Sequence, residues 1–306
     1  MAAEPAERLA RIVSVGRNAA WLAFEDEERL RLASLRKNVE RLALVPGDLV
    51  RALPLDDERV VVVGREPRSF ALERTTAGGR KKTMAANVDG IAIVAALARP
   101  ALHLAMVDEL LAFGEIHGLR AHIVFTKPDL GRLAGVDAEA LLTLYRELGY
   151  AVFALDPRTP DGVGALQAAF AGAATLLIGQ SGVGKSSLFR ALGGKADVGD
   201  VSKIGRGKQT TTTGRLHRFA EGFLIDSPGV GEFELSASTG EEIALGFVEF
   251  APASAGCRFD DCRHRTEPGC GVRAAVDAGT IAATRYASYR AILEREDERR
   301  ADAPYG

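Results

Sequence analysis

A chain of 306 residues with 47% apolar side chains is long enough for two or three cores, since single domains run to roughly 100 to 200 residues. Its formal net charge of −2 and pI near 6.3 exclude a generally basic nucleic-acid coat, because neutralising phosphates takes clustered Lys and Arg; any nucleic-acid contact is local. No apolar run nears the roughly 18 residues of a membrane span, and Met1 to Ala10 lacks the apolar core of a signal segment, so a cytoplasmic protein with no membrane partner is expected.

From Arg8 to about Leu72, short apolar runs at Ile12–Val15, Trp21–Phe24, Leu30–Leu32, Asp48–Val50 and Val60–Val63 are broken by charged or turn residues. This rhythm predicts a small antiparallel barrel or sandwich, with Gly16-Arg17-Asn18 and Pro46-Gly47-Asp48 as turns. Residues 1–72 are therefore assigned to an N-terminal β domain. Glu73 to Val88, with Gly78-Gly79-Arg80-Lys81-Lys82 at its centre, reads as a linker whose basic cluster suits either solvent or phosphate.

The pattern then changes to apolar strands at Gly90–Ala96, Ala121–Phe125, Tyr150–Leu155, Thr175–Ile178 and Phe223–Ile225, separated by helical spacing over Leu104–Ile116, Asp137–Leu148 and Lys185–Leu192. Such alternation predicts an α/β domain, residues 73–239, with a largely parallel sheet and ligands at the carboxyl ends of its strands. The remaining part, 240–306, ends in a helix with Ile281, Arg285, Tyr289, Ile292 and Leu293 on one face and a charged, fraying end from Glu294 to Arg300.

Gly179-Gln180-Ser181-Gly182-Val183-Gly184-Lys185-Ser186-Ser187, between a strand and a helix, has the form of a phosphate-binding loop. Gly182 and Gly184 permit the dihedrals that let backbone N–H groups wrap a phosphate. Lys185 neutralises phosphate oxygens, and the Ser186 hydroxyl suits Mg²⁺. Asp226-Ser227-Pro228-Gly229 follows a strand, which places Asp226 to hold Mg²⁺ through water and the Gly229 amide to meet a γ-phosphate.

Base choice falls to Thr126-Lys127-Pro128-Asp129: a carboxylate at Asp129 accepts from guanine N1–H and the 2-amino group, donors that adenine lacks, while the Lys127 stem lies along the base. This motif precedes the phosphate loop, the reverse of the order in ordinary small GTPases. Gly205 to Thr213 suits a mobile switch in which Thr211 or Thr212 completes the Mg²⁺ shell. Finally, Cys257-x4-Cys262-x-His264-x5-Cys270 holds all three cysteines of the chain and matches a closed, structural Cys₃His zinc site. Arg258, Arg263 and Arg265 between its ligands suit RNA phosphates or solvent alike.

The permuted motif order, the phosphate loop, Asp226-Ser227-Pro228-Gly229-Val230, the threonine-rich switch, Cys257-Arg258-Phe259-Asp260-Asp261-Cys262-Arg263-His264 with Glu267-Pro268-Gly269-Cys270, and Ala85-Ala86-Asn87-Val88-Asp89 together resemble the RsgA (YjeQ) family of bacterial small ribosomal subunit biogenesis GTPases. The resemblance implies an OB-fold barrel, a circularly permuted GTPase domain and a helical zinc domain. It also implies late maturation of the small (30S) subunit, contact with its 16S rRNA, and Mg²⁺-dependent hydrolysis of GTP to GDP stimulated by that subunit. A monomer is expected.

Thr126 stands where the family usually has Asn, so its hydroxyl is expected to replace part of the contact to guanine N7. Gln209 stands where a switch His is usual, and with Val230 at the position of the water-orienting Gln of Ras-like enzymes, Gln209 is the candidate to position the attacking water. Asp156-Pro157-Arg158 replaces a Ser-Ala-Lys-like loop, and Pro157 has no N–H for guanine O6. The competing reading is a nucleotide-gated RNA-binding module with little turnover.

Overall fold

The computed structural model describes residues 6–16, 18–56, 59–75, 81–194, 215–219, 221–226 and 240–302. The chain opens with β1 (Arg8–Val15), β2 (Ala19–Ala23), β3 (Arg31–Leu35), the short α1 (Lys37–Glu40), β4 (Leu49–Pro54) and β5 (Val60–Arg65), which close into a barrel of order β1-β2-β3-β5-β4. Ile12, Leu22, Phe24, Val50 and Val62 are fully buried inside it, because alternate strand positions face one side. The expected all-antiparallel pattern fails at one seam. β5 closes the barrel by pairing in parallel with β3, Ala33 opposite Val60, since α1 and β4 lie between them in the chain and reset the direction.

The segment read as a linker is instead a hairpin, β6 (Ala71–Thr75) with β7 (Lys81–Ala86), whose charged residues hid its buried side: Leu72, Met84 and Ala86 point inward. Residues 76–80, with Arg80 of the basic cluster, lie outside the described residues, whereas Lys81 and Lys82 open β7. There follow β8 (Gly90–Ala96), α2 (Leu104–Ile116), β9 (Arg120–Thr126), α3 (Pro128–Leu133), α4 (Ala138–Glu147), β10 (Ala151–Leu155), α5 (Val163–Phe170), β11 (Ala174–Ile178), α6 (Lys185–Ala191), β12 (Arg215–Phe219), β13 (Gly222–Asp226), α7 (Gly240–Leu245), α8 (Phe250–Ser254), α9 (Gly271–Asp277) and α10 (Ala283–Asp302). Every residue of β8 and of β11 is buried, as continuous apolar runs in a covered parallel sheet should be. Asp137 caps α4 by accepting from the Ala140 N–H at 3.0 Å.

Two compact units emerge. In the first, drawn from residues 1–89, 163–178 and 185–230, β11 pairs in parallel with β13, and β12 runs antiparallel to β13. That antiparallel strand was not foreseen. Its Arg-Leu-His-Arg-Phe alternation is short and half charged. Within the same unit the Asp89 carboxylate accepts from the Ala174 N–H at 2.8 Å, Arg218 donates to the Phe24 carbonyl, and the Arg11 guanidinium lies 5.2 Å from the Phe223 ring centroid.

In the second unit, drawn from 90–162, 179–184 and 231–306, β8, β9 and β10 form a parallel run in the order β10-β9-β8, and α10 packs along α2. Ile281, Arg285, Tyr289, Ile292 and Leu293 are all buried, although Ile281 precedes the helix, and the charged end expected to fray continues as helix to Asp302. No described helix is long and apolar enough to cross a membrane.

Candidate nucleotide site and metal centre

The turn from Gly179 to Gly184 leaves the carboxyl end of β11 and delivers the chain to α6, which Lys185, Ser186 and Ser187 open. Gly182 and Gly184 hold φ of +77° and +105°, the left-handed region that an L side chain resists. Peptide units turned this way gather successive N–H groups on one concave side, an anion cradle. Val183 buries its side chain beneath the turn, while Ser181 and Ser186 are exposed and Gln180, Lys185 and Ser187 are half-buried.

The base-reading segment begins at the last residue of β9. Thr126 is fully buried, and its hydroxyl donates to the Val183 carbonyl, with the Ala95 carbonyl 3.4 Å away. A hydroxyl has one proton, and this one goes to the phosphate loop. The Thr126 hydroxyl, expected to meet guanine N7, is here turned onto the phosphate loop.

Lys127 follows in a left-handed conformation (φ 56°, ψ 51°) and turns its ammonium back onto the same loop, donating to the Gly182 carbonyl at 2.8 Å and to the Arg99 carbonyl. Pro128 opens α3, the fixed φ of proline suiting a first helical position, and Asp129 sits in that first turn with a half-exposed carboxylate. Arg158, which no motif singles out, lies 3.9 Å from Asp129 while holding Asp156 by hydrogen bonds at 2.6 and 3.0 Å, which keep the Asp156 carboxyl below the usual carboxylate range.

Asp226 ends β13, its backbone opposite Leu177 of β11 and Arg215 of β12. The side chain of Asp226, and all of Gln209, Thr211, Thr212 and Gly229, lie outside the described residues.

Around α8, α9 and α10 the other constellation assembles. Cys257, Cys262, His264 and Cys270 bring one ligand atom each to within 4.8 Å of one another. His264 Nδ1 lies 3.6 Å from Cys257 Sγ and 3.5 Å from Cys270 Sγ. Zinc bonds of about 2.3 Å to sulfur and about 2.0 Å to nitrogen give tetrahedral S···N edges of about 3.5 Å, so donor type and spacing both fit that ion.

Outer contacts fix the ligands: His264 Nε2 lies 3.3 Å from Ser254 Oγ, and the N–H groups of Gly271 and Arg273 donate to Cys257 Sγ and Cys270 Sγ at 3.3 and 3.5 Å. Burial pushes the Cys262 thiol up to about 12 and the His264 imidazole down, an environment that favours neutral groups until a cation arrives to hold thiolates. His264 itself has φ +56°, and the hydroxyls of Tyr286 and Tyr289 donate to the carbonyls of His264 and Arg263 at 2.7 and 2.8 Å.

A five-stranded barrel, an α/β body whose base-reading turn precedes its phosphate loop, and a Cys₃His cluster define a circularly permuted phosphate-loop GTPase. The family model described as RsgA GTPase matches residues 65–236. The small ribosomal subunit biogenesis GTPase RsgA of Chromohalobacter salexigens is 41% identical over 295 residues, 94% of this chain and 86% of that protein. The chain belongs to the RsgA GTPase family. Of solved structures, YjeQ from Thermotoga maritima matches with a TM-score of 0.75 at 28% identity, over 95% of this chain and 99% of that one. YloQ, a circularly permuted GTPase, shares the fold at a TM-score of 0.78 and 23% identity, over 100% and 99% of the two chains.

Proposed function

We propose that this protein hydrolyses GTP to GDP and phosphate during late maturation of the small (30S) ribosomal subunit, as a cytoplasmic monomer that contacts 16S rRNA and is stimulated by the subunit. The observation that carries the reading is the side-by-side seating of the two motifs: Thr126 and Lys127 rest on the carbonyls of Val183 and Gly182, so a base reader and a phosphate cradle share one site in a chain of a GTPase family. Asp129 accepts from guanine N1–H and the 2-amino group, and adenine would leave it unpaired at roughly 1 to 3 kcal/mol.

The amides of Gly179 to Gly184 hold phosphate oxygens, Lys185 neutralises them, and the Gly229 amide meets the γ-phosphate. Ser186, Ser187 and either Thr211 or Thr212 line the Mg²⁺ side, with Asp226 reaching the ion through water. Bound there, Mg²⁺ supplies charge that offsets the phosphates. Gln209 orients the attacking water. The Cys₃His cluster holds one structural zinc, and the arginines interleaved with it meet rRNA phosphates.

The test is GTP turnover with and without purified small subunits, run on wild type and Asp129→Asn. Stimulated turnover in wild type is expected, with Asp129→Asn moving preference from GTP to xanthosine triphosphate. Tight nucleotide-dependent binding to the subunit without turnover would favour the nucleotide-gated RNA-binding module instead, and an unchanged base preference would sink the role of Asp129.

A further inference from the structure

The stretch Ala85-Ala86-Asn87-Val88-Asp89, which no nucleotide or metal role absorbs, stands at the foot of the two strands that lead to the nucleotide chemistry. Asp89 holds Ala174, the first residue of β11, twice: its N–H donates to the Ala174 carbonyl at 2.9 Å, and its carboxylate accepts from the Ala174 N–H at 2.8 Å. Ala174 pairs with Phe223 of β13, whose N–H donates to the Ala173 carbonyl at 2.9 Å. β11 runs on to the phosphate loop and β13 to Asp226, so both strands start at this junction and end at the candidate site, about 17 Å of strand away.

The barrel grips the junction through one side chain. Half-buried Arg11 of β1 donates from a single guanidinium nitrogen to the carbonyls of Gly47 and Asn87 at 3.3 and 3.2 Å, and its guanidinium carbon lies 5.2 Å from the Phe223 ring centroid. Burial holds its pKa below the ordinary value, and the charge of Asp89 opposes this. Asn87 is buried and held in turn: its side-chain amide donates to the Gly47 carbonyl at 3.1 Å and accepts from the Ser69 N–H at 2.9 Å. A second cation, Arg218 of β12, lies 5.5 Å from the same ring centroid and donates to the carbonyl of Phe24, the residue after β2. Two like charges near one ring repel, so the pair persists because barrel carbonyls anchor each guanidinium while the ring attracts both.

We infer that Arg11, Phe223 and Arg218 form a transmission contact between the barrel and the nucleotide site, so that a bound nucleotide stiffens the barrel and a load on the barrel alters nucleotide affinity. The inference rests on the reading that β11 and β13 deliver the nucleotide-binding residues. A strand hydrogen-bonded on both sides shifts as a unit, so a ligand that holds one end of β13 restrains Phe223 near the other. Such coupling is reciprocal. Arg11 and Arg218 are thus positioning residues.

The test is hydrogen exchange of the full chain, with and without saturating GDP, on wild type, Phe223→Leu, Phe223→Tyr, Arg11→Met and Arg218→Met. In wild type, GDP is expected to slow exchange across β1 and β2 as well as across Gly179–Ser187. Phe223→Leu, Arg11→Met and Arg218→Met should each cut the slowing in the barrel roughly two- to fivefold, the worth of one such contact, and spare that of the phosphate loop. Phe223→Tyr keeps the ring and should restore it.

A merely structural weld would change barrel exchange by the same factor with and without GDP, and that result overturns the inference. So does a wild-type barrel that ignores GDP while the phosphate loop responds. Arg218 is exposed, so Arg218→Met decides the matter even where Arg11→Met or Phe223→Leu fails to fold. A phosphate loop that itself ignores GDP would sink the nucleotide reading, and the transmission contact with it.

Discussion

Gly179 and Gly135 both have positive φ, +149° and +74°, but only the first faces a wall. A Cβ on Gly179 would lie 2.0 Å from the Val94 carbonyl oxygen, whereas around Gly135 nothing comes within 4 Å. Val94 sits mid-strand in fully buried β8 and cannot retreat. Gly179→Ala is expected to cost on the order of 3 kcal/mol or more in urea unfolding, and Gly135→Ala only about 1 kcal/mol, the left-handed penalty. Equal midpoints for the two variants would refute the steric account. Residue types in a motif are legible without a structure: glycines at 182 and 184, a lysine at 185 and a carboxylate at 129 all announce nucleotide chemistry by local spacing. What Gly179 and Thr126 press against is not legible. Val94 and Val183 approach them only through the fold, so the sequence shows neither contact.

Helix α10 shows the same division one level up. Periodicity picked out its buried face, Arg285 included, but a guanidinium on an apolar face has no rationale until α2 and the residue before α8 are beside it. Arg285 is 1% exposed, donates to Asp108 at 2.7 Å and to Glu249 at 2.7 and 3.1 Å, and lies 4.5 Å from the Phe247 ring centroid, while the Tyr145 hydroxyl donates to Asp108 at 2.7 Å. Burial works against the Arg285 charge, yet the Glu249 hydrogen bonds and the nearby Asp108 hold its pKa above the ordinary value. Arg285→Met would leave both carboxylates buried without their cation and is expected to cost about 3 to 5 kcal/mol. Arg285→Met with Asp108→Asn removes charge from both sides and should cost less than the sum of the singles; strict additivity in urea denaturation would show that the pair does not act as a unit. The hairpin of β6 and β7 and the strand β12 escaped for a related reason: short alternations studded with Arg and Lys look like loops until a partner strand supplies the ladder.

For the whole molecule, motif order and metal ligands were the most legible features, because both are written in local sequence, while the docking of distant helices was not. That contrast bears on what a metal held by the Cys₃His cluster would do. In the α8–α9 region the four ligands and their outer contacts add to the packing of buried Phe250 and Val272, and α10 is held from two sides. One is the pair of tyrosine hydroxyls on the carbonyls of Arg263 and His264; the other is its buried face against α2, through Arg285, Ile292 and Leu293. Stripping the metal removes the first anchor and leaves the second. After chelation, hydrogen exchange is therefore expected to rise steeply across Cys257–Cys270 and α9, while amides from Arg285 to Leu293 keep most of their protection. Thiol protons compete with the metal, so chelation should be easier at pH 6 than at pH 8. Loss of protection along all of α10 at the same rate as the loop would instead make the metal the keystone of the entire C-terminal part, and the Arg285 cluster a passenger.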